Sequence, residues 1–149
     1  MKLEAEIKQK KFKNGYQRLI VNLMFTHGWL NSLLNERLKE FDLSPQQFNI
    51  LRILRGQYPN PVTVNLLKDR MLDKMSNASR LVEKLRIKDL VERTICEKDR
   101  RAVDVKITEK GLQVLKELDH SESDWEKHFW TLDESEAKEL NNLLDKLRG

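Results

Sequence analysis

The sequence predicts a mainly α-helical fold carrying one small β-wing, and three observations predict it. Apolar residues recur at steps of three and four through long stretches near both ends of the chain. Two shorter helical patterns lie back to back in the middle, between Thr63 and Leu85. Alternation with a period of two appears behind them, where Val103, Val105 and Ile107 are separated by Asp104 and Lys106. At 149 residues the chain is long enough for one domain with a real core, and too short for a second of ordinary size.

The first long helix is expected from about Lys11 to Phe41, with Leu19, Ile20, Leu23, Leu30, Leu34 and Leu38 on its inner side. Val21, Met24, Phe25 and Trp29 widen that stripe beyond one face, so the helix calls for cover from more than one side, and a second subunit is the natural source. Gly28 weakens its middle. Ser44, Pro45 and Gln47 then mark a fresh start, a capping box with proline where a missing N–H costs nothing. That second helix runs to about Gln57, and Gly56 to Pro61 ends it.

A short third helix starts at Thr63 or Val64 and carries Leu66, Leu67 and Met71. Met71 to Lys74 is read as a turn, and Ser76 as the cap of a fourth helix that buries Ala78, Leu81, Val82 and Leu85. Two strands follow, Leu90 to Cys96 and Ala102 to Ile107, around the charged tip Glu97-Lys98-Asp99-Arg100-Arg101. Thr108 is placed as the cap of a fifth helix extending through Leu112, Leu115, Leu118 and Trp125 to Phe129. Thr131 with Glu134 is read as the capping box of a last helix bearing Leu140, Leu143, Leu144 and Leu147.

Charge is distributed unevenly. Residues 1 to 62 hold 10 Lys/Arg against 5 Asp/Glu, residues 63 to 106 hold 12 against 8, and residues 107 to 149 hold 6 against 11. A basic front with an acidic tail suits a polyanion-binding face set apart from a face with another task. No apolar run reaches the ~18 residues needed to span a bilayer, and no apolar leader follows the first residues, so a cytoplasmic protein is expected. Cys96 is the single cysteine, and His27, His120 and His128 are not at ligand spacing, so neither disulfide, metal nor cofactor is expected. A Gly-rich phosphate loop, a nucleophile elbow and a convergent carboxylate pair are all missing, so no enzyme is expected either.

A short helix, a turn, a helix with a basic outer face and a hairpin form a helix-turn-helix followed by a wing. Such a helix fits the major groove of double-stranded DNA, with the polar side chains near its N-terminus on base edges. Ser76, Asn77, Ser79, Arg80 and Lys84 are residues of that kind. Arg100 and Arg101 at the wing tip suit a minor groove, whose negative potential favours arginine. Asp99 is expected to orient one of them, Arg101 being the better placed. The competing reading is a winged-helix protein-interaction module without DNA binding.

The wing sequence Asp99, Arg101, then Ile107-Thr108 followed by Glu109-Lys110-Gly111, together with Ser76–Leu85 and Leu43–Leu54, resembles the multiple antibiotic resistance regulator (MarR) family of winged helix-turn-helix transcription factors. The resemblance implies one domain over 1–149, with a DNA-binding lobe at about 43–108 and dimerisation helices at about 11–41 and 109–149. It implies an obligate homodimer on the nucleoid, more often a repressor, reading a pseudo-palindrome. Asp89 stands where the family has glycine, so a different turn is expected there, and Ile107 replaces the signature leucine. Many members sense small phenolic or other anionic ligands in a crevice between the dimerisation helices and the DNA-binding lobe. By position His27, Trp29, Phe48 and Arg52 are read either as lining such a crevice or as core. Redox-sensing members carry a cysteine near the start of the first helix, where this chain has none.

Overall fold

The computed structural model describes all 149 residues. Eight α-helices and three strands follow in order: α1 (Leu3–Glu6), α2 (Gly15–Leu38), α3 (Pro45–Gln57), β1 (Val62–Thr63), α4 (Val64–Arg70), α5 (Ala78–Ile87), β2 (Val91–Ile95), β3 (Val103–Ile107), α6 (Glu109–His120), α7 (Glu122–Glu126) and α8 (Glu134–Arg148). The fold is mainly helical with a small antiparallel sheet, as the sequence predicts.

Local chemistry accounts for most helix starts. Ser44 Oγ accepts from the Gln47 N–H at 3.1 Å while Gln47 Oε1 accepts from the Ser44 N–H at 3.0 Å, the expected capping box. Thr63 caps α4 and Thr108 caps α6. Two expected caps are wrong by one or two residues. Asn77, not Ser76, caps α5, its Oδ1 accepting from the Arg80 N–H at 3.1 Å. Asp133, not Thr131, caps α8 and forms the box with Glu136. The first long helix starts at Gly15, capped by Asn14, and a short turn of 3₁₀ helix, Lys39–Phe41, finishes it. α1 was not anticipated.

The helix expected from Thr108 to Phe129 breaks at Ser121. In an unbroken helix the Leu118 carbonyl would accept from the N–H four residues on. Instead it accepts from Arg37 Nη2 at 2.9 Å and from Ser121, through its hydroxyl at 3.0 Å and its main-chain N–H at 3.2 Å. The Arg37 side chain is 10% exposed, pairs with Glu122 at 2.6 Å, and lies over the rings of Phe48 and Trp125. A cation from α2 therefore fixes the joint between α6 and α7.

The sheet has the order β1-β3-β2. β2 and β3 form the wing, pairing from Val91 with Ile107 to Ile95 with Val103. β1, unforeseen because two residues cannot show alternation, pairs Val62 with Val105 and Thr63 with Asp104. Inner residues of α3, α4, α5, the sheet and α6 make one apolar core, with Ile50, Leu51, Leu67, Leu85, Val105 and Leu115 fully buried.

The terminal helices lie outside that core. α8 buries no residue, and α2 buries only Leu38. Tyr16, Ile20 and Met24 of α2 and Leu140, Leu143 and Leu147 of α8 stay exposed within the single chain. No helix is long and apolar enough to cross a membrane.

Candidate nucleic-acid interface

α5 is amphipathic because its inward positions, Ala78, Val82 and Leu85, follow helical spacing, which leaves Asn77, Ser79, Arg80 and Lys84 exposed. Arg80 and Lys84 are four residues apart and share a face. Glu83 is drawn off that face: its carboxylate binds Arg86 at 2.7 Å and Arg93 of β2 at 3.0 Å. The Arg86 hydrogen bond, reinforced by the charges of Arg86 and Arg93, holds its pKa below the ordinary glutamate value. The one acid near the middle of α5 is thus neutralised, and the helix presents cations outward.

Ser76 does not join the outer polar set. Its hydroxyl is turned inward, buried close to Asp73 without a well-formed hydrogen bond. The reason lies in the turn. Asp73 Oδ1 accepts from the Met75 N–H at 2.9 Å, its carbonyl accepts from the Ser76 N–H at 3.2 Å, and Gln46 of α3 reaches its other oxygen at 3.4 Å. These bonds, the Met75 N–H first and Gln46 second, lower the Asp73 pKa. Asn49 of α3 accepts from the Leu72 N–H at 2.9 Å. The helix-turn-helix turn is therefore longer than Met71 to Lys74 and is tied to α3 through the adjacent residues Leu72 and Asp73. Gln46 and Asn49 were missed by the sequence reading because their partners lie 27 and 23 residues away.

At the wing tip Arg100 and Arg101 are exposed. Asp99 acts differently from the expectation. It accepts from the Arg101 main-chain N–H at 3.0 Å, and its carbonyl accepts from the Ala102 N–H at 2.9 Å; no ion pair joins it to the Arg101 guanidinium. An aspartate that accepts from the N–H two residues on closes an Asx turn, so Asp99 holds Arg101 through its main chain and shapes the hairpin rather than aiming the guanidinium.

The junction between α5, β2 and α6 explains the Thr-Glu-Lys-Gly run physically. Asp89 takes the left-handed conformation with φ of 59°, the conformation glycine supplies more cheaply. Thr108 Oγ1 donates to the Asp89 carbonyl at 2.6 Å and accepts from the Gly111 N–H at 3.1 Å. A Cβ on Gly111 would lie 2.4 Å from the Leu90 carbonyl oxygen and 2.7 Å from Ile107 Cγ1, so only glycine allows α6 to approach the wing.

The four residues read as crevice lining do not converge. Phe48 is core, with Arg52 stacked over its ring at 5.6 Å. Trp29 meets Phe129 edge to face at 6.0 Å, and His27 lies two residues from it, on a different side of the helix. An open crevice of about 910 Å³ lies elsewhere, between the end of α2 and α5, bordered by Ser32, Asn35, Ser44, Lys39, Lys84 and Lys88. Lys88 pairs with Asp42 at 3.2 Å and Lys39 with Glu36 at 3.9 Å, which leaves Lys84 without a carboxylate partner.

Comparison with known proteins agrees with this geometry. The MarR family profile matches residues 41–102. The HTH-type transcriptional regulator MgrA of Staphylococcus aureus is 31% identical over 113 residues, 76% of this chain and 75% of that protein. Among solved structures, a mutant MarR from E. coli complexed with operator DNA superposes with a TM-score of 0.76 at 26% identity, covering 99% of both chains. The organohalide-sensing regulator RdhR in its 2,4-dichlorophenol-bound form gives 0.82 at 21% identity, covering 94% of this chain and 85% of that one, a likeness of fold. The chain belongs to the MarR family of winged helix-turn-helix transcriptional regulators.

Proposed function

We propose that the protein is a homodimeric, sequence-specific DNA-binding transcriptional repressor, acting in the cytoplasm on a pseudo-palindromic operator and responsive to a small phenolic or other anionic ligand. The observation that carries the DNA-binding part is α5, whose exposed Asn77, Ser79, Arg80 and Lys84 are joined through Glu83 and Arg93 to a wing ending in Arg100 and Arg101. Asn77 and Ser79 suit base edges, Arg80 either guanine or phosphate, and Lys84 phosphate. Residues 43–108 form the DNA-binding lobe in this reading, and the helical segments 11–41 and 109–149 the dimer.

Support for the dimer comes from the bare apolar faces of α2 and α8, too extensive to be left in water by two helices that bury almost nothing within their own chain. Support for an anionic effector comes from the crevice beside α5. Lys84 borders it and also belongs to the DNA-facing set, so an anion bound there competes with phosphate for one charge. The test is a mobility-shift titration of the purified protein on its own upstream intergenic DNA, repeated across salt concentrations and with candidate phenolic acids. Retention that weakens steeply with salt and is relieved by a ligand is expected. Absence of any retained duplex at low salt favours a protein-interaction module.

A further inference from the structure

The strongest unexplained feature outside these roles is Met75. It is 93% exposed, an apolar side chain standing in solvent two residues ahead of the Asn77 cap. Its backbone is not loose. The Met75 N–H is held by Asp73, which Gln46 anchors to α3, and the turn that points Ser76 inward points its neighbour out. A fixed, outward methionine at the mouth of a recognition helix is placed where base edges would be met, and Lys74 before it and Arg80 after it make the surroundings cationic. Two such surfaces would repel one another, whereas a polyanion would be drawn in.

We propose that Met75 reads a thymine: its thioether chain packs on the C5-methyl group that thymine alone presents in the major groove. The inference rests on the DNA-binding reading above and adds a specificity determinant to it. A flexible, polarisable side chain suits this contact, since it fits a methyl group without demanding one fixed geometry. The polar residues of α5 would then supply hydrogen bonds and phosphate contacts, and Met75 the apolar part of the readout.

The experiment selects duplexes from a random-sequence pool with the full-length protein, then replaces each thymine of the selected site by deoxyuridine in turn. Loss of one methyl contact is expected to weaken wild-type binding about fourfold at one position in each half-site. Met75→Ala, which removes the contact from both half-sites at once, is expected to weaken binding to the thymine duplex about 16-fold and to show no further loss on the uracil duplex. Leu72→Ala, equally open to solvent but farther from the helix start, keeps the uracil sensitivity. Both variants alter exposed side chains, and an unchanged melting temperature checks that they fold. The inference is overturned if no uracil substitution weakens the wild type, if uracil weakens Met75→Ala equally, or if Leu72→Ala also abolishes the effect. Enrichment of no duplex overturns this inference and the DNA-binding reading together.

Discussion

Replacing Gly111 by alanine should destabilise the protein although glycine-to-alanine changes in helices ordinarily stabilise. Gly111 occupies the third position of α6, where propensity alone would favour alanine by about 1 kcal/mol. The added methyl would lie 2.4 Å from the Leu90 oxygen and 2.7 Å from Ile107 Cγ1. That oxygen cannot retreat freely, because it accepts from the Thr108 N–H at 3.1 Å and Leu90 leads directly into β2. Overpacking of this kind costs about 1–3 kcal/mol, and moving the carbonyl also loosens a hydrogen bond worth about 1 kcal/mol. Set against the propensity gain, the net loss is about 2 kcal/mol, or roughly 5 °C in melting temperature for a chain of this size. Gly56→Ala is the internal control. It lies in α3 with nothing within 4 Å of the added Cβ, so about 0.5–1 kcal/mol of stabilisation is expected. Circular-dichroism melts at one fixed protein concentration, needed because any self-association makes the melting temperature depend on it, compare the three proteins. A Gly111→Ala protein that melts at or above the wild type would refute the reasoning, since the approach of α6 to the wing would then not depend on a missing Cβ.

Three further outcomes are expected. Arg101→Ala should weaken operator binding by about 1–3 kcal/mol in a titration at fixed salt while dimer mass and melting temperature stay unchanged; undiminished affinity removes the wing tip from the interface. Leu143→Glu, placing a charge on the bare face of α8, should shift the light-scattering mass from two chains to one, and an unchanged mass would move the dimer contact elsewhere. Asp73, whose pKa is lowered from 3.8 by the Met75 N–H first and Gln46 second, should stabilise the turn at neutral pH and lose that contribution as the pH falls through its lowered folded value. A carboxyl NMR titration with a midpoint at or above 3.8 would contradict that assignment.

What the sequence made legible was what neighbours along the chain decide. The Ser44 and Gln47 box closes within four residues, and the alternation of Val103, Val105 and Ile107 is intrinsic to a half-buried strand. The last helix shows where local rules stop. Thr131 with Glu134 and Asp133 with Glu136 both satisfy the same capping pattern, and the turn through Leu132, whose N–H donates to Phe129, decides for the second. Ser76 lost its cap role in the same way, to the Asx turn that Asp73 builds across Met75. The break at Ser121 depends on Arg37, 81 residues from the carbonyl it takes, and no periodicity can report that. Of the four residues read as crevice lining or core, Phe48 is core with Arg52 over its ring, while Trp29 meets Phe129 from another element, a division that depends on contacts distant in sequence.

The two-residue strand β1 gives the lobe a mechanical property. Val62 and Thr63 hydrogen-bond to the wing strand β3, and Thr63 in the next step caps α4, its Oγ1 accepting from the Leu66 N–H at 3.2 Å. Wing and helix-turn-helix are thereby riveted to one another through a single dipeptide, with Glu83 and Arg93 as a second rivet on the far side of α5. The interval between α5 and the wing is thereby braced on two sides. In the proposed dimer the adjustable length would be the span between the two copies, and a ligand that changed DNA binding would have that span to work on.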